Sequence, residues 1–338
     1  MTGSSEARIG YVVIGRNEGE RLRRCLQSLP RDAAPTVYVD SGSTDASVAT
    51  AQGLGVAVVK LEGDRPFTAA RARNAGFAQL VAARADIDFV MFTDGDCELA
   101  PDWPRTGAAL LDAHRDIAAV CGRLRERRPD ASLYNRLCDI EWAAPAGDTI
   151  ACGGVAMYRA GAFKDAGGFD ETLAGGEEPE LCVRLRERGW RIRRLEAEMA
   201  SHDAAISNFA QWAARVKRGG RAFAEVSHLH RRSPKRIWRR ETIRALAWAA
   251  ILPAALLGAL LVNGAILALL LAYPLQVLRL ATIDRDKLPL PAQERPWVYA
   301  AFITLAKFPE ATGVLEFQLS RLAPRRSAPA LGARRMQN

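Results

Sequence analysis

The chain has 338 residues, of which 49% are hydrophobic and 25% charged, with a formal net charge of +9. That length carries one large domain or a domain with an appendage, and that composition excludes global disorder. The basic excess, gathered in Arg-rich stretches at 121–128, 184–194, 215–244 and 321–335, admits nucleic acid, anionic lipid or phosphorylated partners; no zinc-finger spacing or nucleic-acid module accompanies it, so lipid and pyrophosphate are expected and nucleic acid is not.

In chain order, residues 9–14 read as a strand and 18–29 as a helix, with Leu22, Leu26 and Leu29 at helical spacing. A second strand over 36–39 ends in Asp40-Ser-Gly-Ser-Thr-Asp45. A helix over 47–54, a strand over 56–60 and a helix over 68–83 follow. The apolar strand 89–93 runs straight into Asp94-Gly-Asp96. Strands alternating with helices at this spacing build parallel βαβ units, and open α/β sheets bind ligands beyond the carboxyl ends of their strands. Asp40, Asp94 and Asp96 all fall there.

Beyond residue 101 the pattern loosens. A helix includes 110–114, and a strand covers 118–124. The mixed stretch 129–150 reads as a flexible cover over the site. A short strand at 156–159 and helices over 159–166 and 178–188 precede a strand at 191–195. The six cysteines, Cys25, Cys97, Cys121, Cys138, Cys152 and Cys182, form no CxxC pair and read as buried thiols. The opening residues carry no secretory signal pattern, which fits a reducing cytosol.

From 245 to 278 no residue is formally charged. One straight helix of that length would measure about 50 Å, against a hydrocarbon core of about 30 Å. Asn263-Gly264 lies near the middle, so the segment reads as a hairpin of two short helices. Arg239, Arg240 and Arg244 precede it, and Arg279 and Arg285 follow, which puts both ends on the cytoplasmic face of the membrane. Residues 297–319 are apolar but broken by Lys307, Pro309, Glu310 and Glu316. They read as an interfacial amphipathic helix pair.

Two carboxylates one residue apart after a buried strand, Asp94 and Asp96, suit Mg2+ or Mn2+, which bridge to phosphate oxygens and offset charge on a departing diphosphate. A neutral His202 imidazole is a further candidate ligand. Asp40 is placed to accept hydrogen bonds from a nucleobase or ribose. Its loop offers backbone N–H groups near a helix start, where an anion is favoured; the same loop also fits a turn with Thr44 or Asp45 as helix cap. Arg71 and Arg73 lie two apart on a helix and so face different ways. Glu177, Glu178 and Glu180 crowd the first turn of a helix, where the dipole stabilises them. One of them is a candidate general base for a sugar hydroxyl, while Glu180 and Arg184, four apart, read as a structural pair.

The order IGYVVIGRNEGERLRRCLQSL, VYVDSGSTDAS, RARNAGF, VMFTDGDCEL and CGGVAMYRAGAFKDAGGFDETLAGGEEPELCVRLRERGW resembles the family 2 glycosyltransferases over roughly residues 8–205. The resemblance implies an α/β GT-A fold, Rossmann-like with a mainly parallel sheet, over residues 1–225. A C-terminal helical membrane-associated region, 226–338, follows. It implies an inverting transfer from a UDP-, GDP- or dTDP-sugar to a lipid-linked or glycan acceptor at a membrane, assisted by Mg2+ or Mn2+. Asn17, Glu18, Asp40, Ser43, Arg71, Arg73, Asp94, Gly153 and Gly154 would contact the nucleotide sugar. Asp94, Asp96 and His202 would hold the metal. Glu178 matches the position of the base, with Glu177 beside it; its side chain is one methylene longer than the Asp common there. Gln211-Trp-Ala-Ala-Arg215 is similar to the lid of processive synthases, with different spacing and no following Trp, so processive polymerisation is not expected. Arg215 and Arg218 remain candidate pyrophosphate clamps. Two competing readings are a catalytically silent, membrane-anchored nucleotide-sugar-binding protein and a sugar nucleotidyltransferase. The latter needs a Gly-rich N-terminal loop with a following Lys, where this chain has Arg16-Asn17-Glu18.

Overall fold

The computed structural model describes residues 8–30, 35–283 and 296–322. Arg285 and the Arg/Pro/Ala tail after Leu322 lie outside them. The first half alternates β1 (Ile9–Gly15), α1 (Glu20–Ser28), β2 (Thr36–Asp40), α2 (Ser47–Gly53), β3 (Ala57–Lys60), α3 (Ala69–Ala83) and β4 (Phe89–Asp94). These strands pair in parallel in the order β3-β2-β1-β4. Residues 9–14 of β1 are all buried, as a strand covered on both faces requires. Ile14 pairs with Asp94 and Gly15 with Asp40, so the ends of β2 and β4 flank the end of β1.

The second half adds β5 (Cys97–Leu99), α4 (Trp103–Ala113), β6 (Ile117–Glu126), α5 (Leu133–Trp142), β7 (Gly147–Asp148), β8 (Ala156–Arg159), α6 (Ala160–Asp165), α7 (Glu177–Glu187) and β9 (Arg191–His202). Here the sheet becomes mixed: β8 inserts antiparallel between β4 and β6, and β6 pairs in parallel with β9. The stretch 129–150, expected to be a flexible cover, instead holds α5 and β7. Ser132 caps α5 by accepting from the Asn135 N–H, and Leu137, Cys138 and Ile140 are buried. The last strand runs seven residues beyond its expected end at 195, as far as His202. All six cysteines are buried and free.

Four further helices carry the apolar C-terminal part: α8 (Phe209–Leu229), α9 (Arg239–Leu261), α10 (Ala272–Thr282) and α11 (Pro296–Leu322). Residues 297–319, expected as a helix pair, form one helix with Pro309 inside it. Close packing on α8 holds that helix through the proline. A Cβ on Gly313 would lie 2.0 Å from the Lys217 carbonyl, and one on Gly220 2.1 Å from that of Glu310, so only glycine permits this crossing. Residues 245–278 do form a hairpin. α9 ends at Leu261, the Asn263 side chain accepts from the Ala265 N–H, and a 3-10 segment, Gly264–Leu271, leads into α10. Its tip is bare, with Leu260 80%, Leu261 70% and Val262 78% exposed.

Candidate active site

Backbone register brings Asp96 and His202 together. The short β5 pairs with β9 so that Cys97 sits opposite His202, and the Asp203 N–H donates to the Asp96 carbonyl. The His202 Nε2 then lies 3.1 Å from Asp96 Oδ2. The Trp142 ring stacks on the imidazole at 4.8 Å. Burial alone would raise the Asp96 pKa, but the hydrogen bond and charge of His202, with Arg21, hold it below the ordinary carboxylate value. The converse holds for His202: burial lowers its pKa, and the bond and charge of Asp96 more than reverse this.

Arg73 links this end of the sheet to α7. Its guanidinium is 3% exposed. Nη2 donates to Asp94 Oδ1 at 2.7 Å and Nη1 to Glu177 Oε1 at 2.5 Å. Burial opposes the charge on Arg73, but the two carboxylates raise its pKa further above its ordinary value. The Phe169 ring covers the guanidinium at 5.7 Å. Gly154 closes against the pair: a Cβ there would stand 2.8 Å from the Arg73 Nη2 and 3.2 Å from Asp94 Oδ2. Gly153, at φ +106°, is in the region that favours glycine.

Glu178 follows Glu177 in the first turn of α7, behind Gly176 at φ +83°. Its Oε1 accepts from the Cys152 N–H at 2.6 Å and the Cys182 thiol at 2.9 Å. Burial pushes that thiol up to about 11, so it stays a donor. The other oxygen, Oε2, is buried without a hydrogen-bond partner. Burial raises the Glu178 pKa, and its two hydrogen-bond donors reverse this only in part. Glu180 is structural, as expected: Arg184 and His230 hold it, at 2.6 Å and 3.0 Å.

A cavity of about 370 Å³ gathers Asp94, Gly153, Gly154, Glu178, His202 and Arg215 along its wall. Asp94 and Glu178, 84 positions apart in the sequence, therefore line one cavity. Other expected residues are used differently. Arg71 is buried against the Glu62 and Arg65 carbonyls and Asp64, where it ties down its own loop. The Asp40 carboxylate accepts from the Tyr38 hydroxyl and from the Gly42 and Ser43 N–H groups, holding the turn after β2. Ser43 and Asn17 brace each other across two loops: the Asn17 N–H donates to Ser43 Oγ, and Asn17 Oδ1 accepts from the Thr44 N–H. Glu18 pairs with Arg21 at 2.7 Å. Arg215 lines the cavity and is forked on Glu141, whereas Arg218 is exposed on α8 and does not line it.

A divalent cation fits Asp96 and His202 better than the two aspartates alone. The ligand atoms of Asp96, Cys97 and His202 lie within 4.8 Å of one another; Asp94 is not in that group and is engaged by Arg73. Burial raises the Cys97 pKa, so its thiol is a poor third ligand. Sequence reasoning missed Arg194, Trp142 and Glu141, which also line the cavity. Arg194 donates to the Gly122 and Cys152 carbonyls. The two-residue period of β9 places it on the face of buried Ile192, a signal readable in the sequence.

Residues 11–166 match the sequence profile of Glycosyl transferase family 2. The pre-mycofactocin glycosyltransferases of two Mycobacterium tuberculosis strains are 28% identical over 240 residues, 68% of this chain and 49% of theirs. The match thus spans about half the length of these curated relatives. Mannosyltransferase PcManGT from Pyrobaculum calidifontis, solved in complex with GDP-Man and Mn2+, superposes with a TM-score of 0.63 at 20% identity. That superposition covers 91% of this chain and 87% of that one, and it shows a shared fold. The sheet and the matched profile together show a GT-A fold whose residues 11–166 are similar to the family 2 glycosyltransferases.

Proposed function

We propose that this chain is an inverting, metal-dependent glycosyltransferase acting on a nucleotide-diphosphate sugar at the cytoplasmic face of a membrane. One observation carries the reading: Asp94, Glu178 and His202 line one cavity, and Arg73 behind it ties Asp94 to Glu177, the neighbour of Glu178. Donor-side and acceptor-side groups therefore surround one space of about 370 Å³, the scale of a small-ligand site. Support for the donor class comes from the GDP-Man and Mn2+ held by the structural neighbour. When bound at Asp96 and His202, a divalent cation would act as a Lewis acid toward the diphosphate.

The chain's own groups divide the work. Asp94, fixed by Arg73, orients the donor. Gly153, with open space where a Cβ would stand, lets the sugar approach the backbone. Glu178, with a raised pKa and an unpartnered oxygen, accepts the proton of the acceptor hydroxyl. The hydroxyl oxygen bonds to the anomeric carbon as the bond from that carbon to the diphosphate oxygen breaks. The electron pair leaves with the diphosphate, and the configuration inverts. The bare hairpin, with Arg239, Arg240, Arg244 and Arg279 at its base, supports membrane attachment from the cytoplasmic side.

The test is a screen of UDP-, GDP- and dTDP-sugars for Mn2+-dependent release of nucleoside diphosphate in the presence of membranes. The wild type releases it from one donor class, and Asp96→Ala does not. Equal release by the two proteins refutes the reading. Donor binding with no release from any donor points to a silent binding protein.

A further inference from the structure

Cys182 stands four residues after Glu178, one turn along α7, so the two side chains share a face of that helix. Its thiol donates to Glu178 Oε1 at 2.9 Å, and the Cys152 N–H donates to the same oxygen at 2.6 Å. A carboxylate oxygen has two lone pairs, so two donors fill Oε1. Oε2 is left without a partner. Glu178 and Cys152 line the site cavity and Cys182 does not, so the thiol sits behind the carboxylate, outside the space open to a ligand.

The terminal torsion of a glutamate side chain is broad and roughly two-fold. Held by the Cys152 N–H alone, the carboxylate can turn and exchange its oxygens. The thiol adds a second anchor, on α7 itself, and removes that freedom. The other ionisable groups around the carboxylate are already engaged. Glu177 on the same helix and Asp94 across the cavity are both bonded to Arg73. His202 is bonded to Asp96, Arg194 to two backbone carbonyls, and Arg215 to Glu141. Cys121 of β6, Cys152 and Tyr158 of β8 are buried. Burial drives the last two well above their ordinary pKa values, so both stay neutral. Among the described residues, Cys182 is the one side chain bonded to the Glu178 carboxylate.

We infer that Cys182 is a positioning residue of the transfer reaction: its thiol and the Cys152 N–H pin Oε1 of Glu178, so that Oε2 takes the proton of the acceptor hydroxyl. This inference rests on the glycosyltransferase reading and assigns a further residue to the same site. A donor on Oε1 favours the carboxylate over the carboxylic acid. Transfer needs the carboxylate, so the rate climbs with pH as Glu178 loses its proton. Removing the donor moves that acid limb to higher pH. A hydroxyl, a stronger donor than a thiol, moves it to lower pH.

Cys182→Ala and Cys182→Ser, made in the full chain and held in phosphatidylcholine nanodiscs, test it. With the donor found in the release screen, Cys182→Ala should lose about tenfold in kcat near neutral pH, the worth of one hydrogen bond to a charged group. Its KM for the donor should be unchanged, and its acid limb should lie above that of the wild type. Cys182→Ser should recover most of the rate, with its acid limb below that of the wild type. If the alanine variant fails to fold, Cys182→Val, which fills the space without a donor, takes its place. An infrared pH titration reads the same carboxyl without turnover. The protonated-carboxyl band that Glu178→Gln lacks should titrate at the highest pH in the alanine variant and the lowest in the serine variant. Limbs and bands that coincide in the three proteins, or that move the same way in both variants, overturn the inference, because a thiol that only packs gives no such order. The donor-release screen separates the two failures. Release that needs Asp96, with coincident bands, sinks the positioning role alone. Ordered bands without release from any donor sink the transferase reading, and the base role with it, while the thiol contact stands.

Discussion

Arg73 and Glu178 are both ionisable side chains buried at the site. The Arg73 guanidinium, 3% exposed, is the shared counter-ion of Asp94 and Glu177. Removing one partner from a buried ionic network leaves charge uncompensated and costs about 3–5 kcal/mol. Arg73→Ala should therefore lose stability on that scale in denaturant titrations and lose donor binding with it. Glu178 behaves in the opposite sense. Its folded pKa is raised by burial. The folded state thus binds its proton more tightly than the unfolded state, and the stabilisation this brings is complete below the unfolded value of about 4.3. It is lost as pH rises through the folded pKa. Glu178→Gln should accordingly melt higher than wild type at about pH 8 and converge with it near pH 4. If Glu178 is the base, the same variant should lose about 100-fold or more in transfer rate. A variant less stable than wild type at pH 8 would contradict the buried, poorly satisfied carboxylate described here.

At the scale of elements, strand ends carried the legible part of the site. Asp94 and Asp96 stand out in the sequence because an apolar strand runs into them, and the structure sets them at the end of β4. What the sequence hid was pairing between distant segments. β5 is three residues long and too short to show a period, yet its register with β9 is what places His202 on Asp96. The hold of Arg71 on its own loop was equally hidden, because besides Asp64 its partners are the Glu62 and Arg65 backbone carbonyls, which no side-chain pattern reports. Pro309 read as a break because proline lacks an N–H, but helix packing through Gly220 and Gly313 outweighs that local signal. That packing gives a prediction: Gly313→Val, which drives a branched side chain into the Lys217 backbone, should destabilise the protein by about 3 kcal/mol. It should also separate α11 from α8, seen as faster amide exchange in 209–229 and 296–322. Unchanged exchange in both helices would contradict the tight crossing.

For the whole molecule, the bare hairpin carries a positive collar at its base, Arg239, Arg240, Arg244 and Arg279. Anionic vesicles should therefore retain the protein more strongly than neutral ones, and added salt should reduce the difference. Replacing the exposed Leu260 and Leu261 by Glu should release the protein from both kinds of vesicle in a sedimentation assay, because charged groups resist entry into hydrocarbon. Retention of that double variant would mean the hairpin tip does not enter the bilayer.

The account depends most on Asp96 and His202 joining the donor's diphosphate to a divalent cation. The most direct measurement is thermal stabilisation of the purified full chain by UDP, GDP and dTDP, with and without Mn2+, in wild type, Asp96→Ala and His202→Ala. A ligand that binds only the native state raises its melting point by mass action. One nucleotide should stabilise the wild type only when Mn2+ is present, and both variants should lose that metal-dependent increment. An increment of the same size in all three proteins would contradict the account.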